Sequence, residues 1–174
     1  MAALFELDDI PKLPLWAQVL IASRMARRAI LHLPKSVSLT DRKALLDLCD
    51  ATDEAAEVGE YLETKTRPLA DRMNALRSGP IGEVAEACYW AWDAAGAAHG
   101  AQSFPVDATC IRDAQNAISA ASRSNGLSAL QVRIFAAADL DLLRFACAEF
   151  KIGFYDALGA GVMGRLTPVY PPDE

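Results

Sequence analysis

Two pairs of glutamates at three-residue spacing form the pattern in this chain best suited to chemistry. Glu57-Val58-Gly59-Glu60 and Glu83-Val84-Ala85-Glu86 each set two carboxylates three positions apart. On a helix, residues so spaced share a face. Two such faces brought together offer the oxygen ligands that a hard cation such as Mg²⁺ takes. Other reactive residue types form no comparable pattern. The two histidines, His32 and His99, follow Ala29 and Gly96 at three-residue spacing, so the Glu-x-x-His pairs of a di-iron bundle are missing. No G-x-S-x-G nucleophile elbow is present. Cys49, Cys88, Cys110 and Cys147 are dispersed among apolar residues with no C-x-x-C pair. That is the pattern of buried structural thiols in a reducing compartment, not of a zinc site.

The paired glutamates resemble the all-α, MazG-like nucleotide pyrophosphohydrolases, over about residues 54–95. That family carries an E-x-x-E motif and a later E-x-x-D motif within helical hairpins. The resemblance implies Mg²⁺ held by Glu57, Glu60, Glu83 and Glu86, a nucleoside triphosphate as substrate, and an activated water. The chain departs from the pattern at Glu86, where the family usually has Asp. It also has no lysine between Glu86 and Lys151 to grip a phosphate.

The same acids read first of all as surface. Asp47, Asp50, Asp53, Glu54, Glu57, Glu60 and Glu63 crowd one predicted helix, and a charge run on a helix is ordinarily a solvated face. That is the reading we carry forward, with Asp50, Asp53 and Glu54 as candidate partner-binding residues. Tyr89 and Trp90 join them. Successive helical residues turn by about 100°, so Tyr89, Trp90 and Trp92 cannot all point inward, and Trp92 fits the buried stripe. Arg24, Arg27 and Arg28 form the dense basic cluster. It is expected to pair with acids of a neighbouring helix, the acidic second helix above all, or else to hold a phosphate or an acidic partner.

The elements that must position these groups read as helices. Pro14 opens the first, which runs to about His32 with Leu15, Val19, Ala22, Ala26, Ile30 and Leu33 on its apolar face. Ser38 or Thr40 caps a second over about 40–63, which carries Glu57 and Glu60. Further helices are predicted over about 67–77 (Pro68 in the first turn), 80–99, 108–123 and 129–150. The last has Ser128 as its cap and a break expected at Asp139. His99 falls at a helix end, where a cation meets the dipole favourably. Residues 1–13 read as an irregular lead-in. From Gly153 onward the expectation is at most one helical turn and then an extended run, with Leu166, Val169 and Tyr170 laid on the bundle.

The whole chain limits the function class. It has 174 residues, 33 of them alanine, and a net charge of −6. Alanine is the best helix former, and an acidic surface repels phosphate backbones and anionic membranes. The N-terminus carries acids where a signal peptide carries bases, and arginines interrupt the apolar stretch Leu13 to Leu33, so neither export nor a membrane span is expected. The sequence therefore predicts an all-α, cytoplasmic, single-domain bundle of about six antiparallel helices over 1–152, followed by a Gly- and Pro-containing tail over 153–174. Its expected role is non-enzymatic: a protein-binding or adaptor module, with a basic protein such as a toxin as one fitting partner. The alternatives are the Mg²⁺-dependent pyrophosphohydrolase and an oligomeric helical scaffold that binds itself. Nucleic acid is not an expected partner.

Overall fold

The computed structural model describes residues 5–101, 107–124 and 128–169. Among these residues it is all-α, with seven helices and no strand: α1 Leu15–Leu31, α2 Leu39–Val58, α3 Glu63–Leu76, α4 Gly82–Ala101, α5 Asp107–Arg123, α6 Ala129–Glu149 and α7 Gly159–Met163. The chain enters α1 through a 3₁₀ helix, Leu7–Lys12, that buries Ile10 beside Phe5 and Leu13. From Phe5 onward the lead-in expected to be irregular is therefore ordered and part of the core, while residues 1–4 lie outside the described residues.

α1 is the central element. Every residue from Leu15 to Ala26 is buried, as a helix covered on all sides must be. It touches α2, α4, α5 and α6. Alanine explains how so many helices reach it. α4 buries Ala85, Ala87, Ala91, Ala94, Ala95 and Ala98, and α5 buries Ala114, Ala117, Ala120 and Ala121. Small side chains let helix axes approach closely, and interior packing leaves few voids. Cys49 of α2 and Cys88 of α4 meet in this core with their sulfurs 3.8 Å apart. Trp92 is fully buried, as its stripe predicted, and donates from Nε1 to Thr66 Oγ1 at 2.8 Å.

Three boundaries differ from the sequence reading. α2 stops at Gly59, which adopts φ 74° and donates its N–H to the Ala55 carbonyl at 2.8 Å. A glycine in the left-handed region is the usual helix stop. α3 consequently begins at Glu63, and Pro68 lies inside it rather than in its first turn. α6 does not break at Asp139. It runs unbroken for 21 residues from a capping box made by Ser128 and Gln131. It ends in a Schellman motif, in which Ile152 N–H donates to the Cys147 carbonyl and Lys151 N–H to that of Ala148. Lys151, at φ 55°, takes the position glycine usually fills.

The segment after α6 packs on the bundle. Leu158 and Val162 are buried. Leu158 N–H donates to the Ala56 carbonyl at 3.0 Å, and the Phe154 carbonyl accepts from Leu15 N–H at 2.9 Å. Leu166 and Val169 are half-buried, as expected of a docked tail, while Tyr170 lies outside the described residues. No helix among the described residues is long and apolar enough to cross a membrane.

Candidate protein-docking surface

The four glutamates do not converge. Ending α2 at Gly59 removes Glu60 from the helix that carries Glu57, so Glu57 and Glu60 do not share a helical face, which corrects the E-x-x-E reading. Glu60 instead rims a cleft of about 280 Å³ between α2 and α3, together with Glu54, Tyr61, Leu62 and Trp92. Glu83 and Glu86 do share a face of α4, and they line a second cleft of about 230 Å³ with His32 and Arg77. Their carboxylates are engaged by donors of the same chain. Arg123 donates to Glu83 at 3.0 Å and to Glu86 at 3.3 Å, and Arg77 and the Trp90 indole both reach Glu86. Among the described residues, no group of three or more His, Cys, Asp or Glu side chains gathers around a point where a metal ion could sit.

The proposed partner-binding residues are largely committed inside the chain. Arg27 donates to Asp50 at 2.6 Å and to Asp53 at 2.7 Å. Burial opposes the charge on Arg27, but the neighbouring Asp53 and Asp50 outweigh it and hold the guanidinium more firmly protonated than usual. Burial pushes the Asp53 carboxyl above its ordinary pKa, and Arg27 opposes that shift. Asp50 keeps an exposed face and Glu54 is exposed. Tyr89 and Trp90 are half-buried and lie edge to face. The Arg77 guanidinium stacks over both rings, 5.3 and 5.5 Å from their centroids. Such pairing lowers the value of these groups to an outside partner. His99 lies in the last turn of α4 near Tyr61, with 6.5 Å between ring centroids.

The other two arginines have a different partner from the one expected. Arg24 and Arg28 reach Asp139 in the middle of α6, not the acids of α2. Arg24 donates at 2.8 Å, and Arg28 donates through both terminal nitrogens. Arg24 also donates to the Thr167 carbonyl at 2.9 Å, which pins the tail. Asp139 is only 3% exposed, so this network fixes how α6 is rotated about its own axis.

That rotation turns an apolar strip outward. Leu130, Ile134, Ala138, Asp141, Phe145 and Ala148 recur at steps of four, four, three, four and three along α6, and all are exposed. Leu130 is 58% exposed, Ile134 51% and Phe145 71%. The opposite side of α6 holds Val132, Ala136, Leu140, Leu143 and Cys147 in the core. The strip carries one charge, Asp141. The charges along its borders are engaged within the chain: Arg133 bonds Glu6 and the Phe5 carbonyl, Arg144 lies 3.8 Å from Asp9, and Glu149 accepts from Arg165. Covering the three large side chains would stabilise a complex by roughly 1–2 kcal/mol each, before the cost of association.

Sequence reasoning missed this surface although its residues were visible. α6 carries apolar residues on both its inner and its outer side, and periodicity alone does not say which side other helices cover. The comparisons with known proteins give no family to the chain. No family model matches it, and no curated protein or solved structure matches it significantly.

Proposed function

We propose that this protein is a helical protein-binding module whose contact surface is the outer face of α6. The observation that carries the reading is the exposed strip Leu130, Ile134, Ala138, Asp141, Phe145 and Ala148, in which Asp141 is the single acid. A large apolar side chain exposed singly is ordinary, whereas several aligned on one rigid helix mark an interaction site. The strip suits helix-in-groove or helix-on-helix recognition, which uses anchors at this spacing. It has a well-supported base, because Asp139 and its two arginines lock the helix beneath it. The acidic patch at Asp50 and Glu54 would steer encounters rather than anchor them.

The test places a photo-crosslinking amino acid at position 145, with a control at Glu54, in cells that make the protein. The reading expects a defined adduct from position 145 that disappears when Ile134→Asp is added. Absence of any adduct from position 145, or an equal yield from the Glu54 control, refutes it.

A further inference from the structure

We infer that the cleft between α2 and α3 is a binding site for a small organic amine, one that carries a protonated nitrogen on an apolar body. The cleft shares no residue with the outer face of α6, so the inference is independent of the docking reading above.

The cleft is open because small residues border it. Ala51 and Ala55 of α2 and Ala95 of α4 stand along it, and Gly59 ends α2 before the helix can extend further. Elsewhere in the bundle alanines draw helices into contact, leaving few voids. Here they border a volume of about 280 Å³, close to the lower end of the ~300–1,000 Å³ of small-molecule sites. That size suits one small molecule rather than a protein segment.

The floor asks for an apolar occupant. Its polar atoms already have partners. Thr52 Oγ1 donates to the Leu48 carbonyl at 2.8 Å. Thr66 Oγ1 donates to the Leu62 carbonyl at 3.0 Å and accepts from Trp92 Nε1 at 2.8 Å. A polar group pushed onto this floor would lose its water and gain no hydrogen bond there. Val58 and Leu62, each more than half exposed, also line the cleft and gain from being covered. The Tyr61 ring is a fixed wall. It packs against Trp92 with centroids 5.5 Å apart, and over Gly96, where a Cβ would stand 3.1 Å from the ring.

The mouth selects the charge. Along the acidic run, Lys43 holds Asp47, Arg27 holds Asp50 and Asp53, and Arg67 holds Glu63. Glu54 and Glu60, the two acids that line the cleft, have no such base among the described residues. Lys65 lines the cleft as well and pairs with neither, so one negative charge stays in excess. Two solvated carboxylates and an aromatic wall both favour a cation. An anion would meet the carboxylates unshielded.

The experiment is an NMR titration of the nitrogen-15-labelled full chain at pH 7 and low salt, where surface charges are least screened. The probe is 2-phenylethylamine, and phenylacetate is its anionic counterpart. The expected result is amide shifts centred on the cleft that saturate with the amine below about 5 mM, a weak affinity in keeping with an open site. Phenylacetate should bind at least tenfold more weakly. The Glu54→Gln, Glu60→Gln double variant changes two exposed side chains and should keep the fold while losing tenfold or more in affinity for the amine. Ala51→Phe, folded by circular dichroism, should block binding by filling the cleft. Equal binding of phenylacetate, an unchanged affinity in the double variant, shifts centred elsewhere or no saturation each overturns the site. Nα-acetyl-lysine amide offers the same ammonium without a compact apolar body. Binding as tight as that of 2-phenylethylamine would overturn the small-amine assignment in favour of a peptide lysine.

Discussion

Replacing Asp139 with asparagine tests whether the buried ion network fixes α6. The side chain keeps its size and one acceptor oxygen but loses its charge. Arg24 and Arg28, whose side chains are 8% and 15% exposed, are left with no carboxylate to answer them. Breaking a buried ion pair from one side costs about 3–5 kcal/mol, because the remaining charge is stranded away from water. A domain of this size has about 5–15 kcal/mol in total, so the variant should remain folded but lose a large share of its stability. Urea unfolding followed by circular dichroism should show the midpoint falling by about 1 M or more, given slopes of ~1–3 kcal/mol per M. Among the described residues, the helices that α6 touches appreciably are α1, α5 and α7, so its amides should lose exchange protection before those of α1 and α4. A companion variant separates charge from packing. Asp139→Leu combined with Arg24→Met and Arg28→Met removes the whole network and should recover much of the loss. An Asp139→Asn variant within about 1 kcal/mol of the native chain would refute the claim that the network anchors α6.

Gly59→Ala should cost about 2 kcal/mol in urea unfolding. It forces a Cβ into the left-handed region at φ 74° and sets it 2.9 Å from Ala157 Cβ. Lys151→Gly should do the reverse and raise stability by about 1 kcal/mol, because it relieves a non-glycine residue at φ 55° in the motif that ends α6. Asp113 is buried, and burial raises its carboxyl pKa above the ordinary value. The stability this gives is fully present below the unfolded value near pH 4 and is lost as pH rises through the folded one. Asp113→Asn should therefore gain on the native chain at pH 7 and lose that advantage near pH 4, as thermal melts at the two pH values would show. Burial likewise pushes the Cys147 thiol up to about 11. Its reaction with a maleimide at pH 7 should be slow in the folded chain and fast in urea, and equal rates would count against its burial.

How much of this was legible in the sequence depended on the range of the interaction concerned. Ser38 before α2 and Ser128 before α6 were readable as caps because capping is settled within four residues, and both hydroxyls accept the N–H three positions on. Gly59 was just as local, but it stood inside the glutamate motif, and reading Glu57 and Glu60 as one helical face required overlooking it. The Arg24–Asp139 contact spans 115 positions. No local pattern could prefer Asp139 to the nearer acids of α2, one of which, Asp53, does take Arg27. The Ser128 cap marked the start of α6 and left its outward side undetermined. α1 is covered by four helices while the outer side of α6 has none among the described residues. A helix face meant to stay in water can carry charge at no packing cost, as α2 does with Asp47, Asp50 and Glu54. The outer face of α6 has Leu130, Ile134 and Phe145 at the corresponding positions and only Asp141 as an acid. These residues add little to the stability of a single chain while they remain solvated, so their placement is better explained by a surface that covers them.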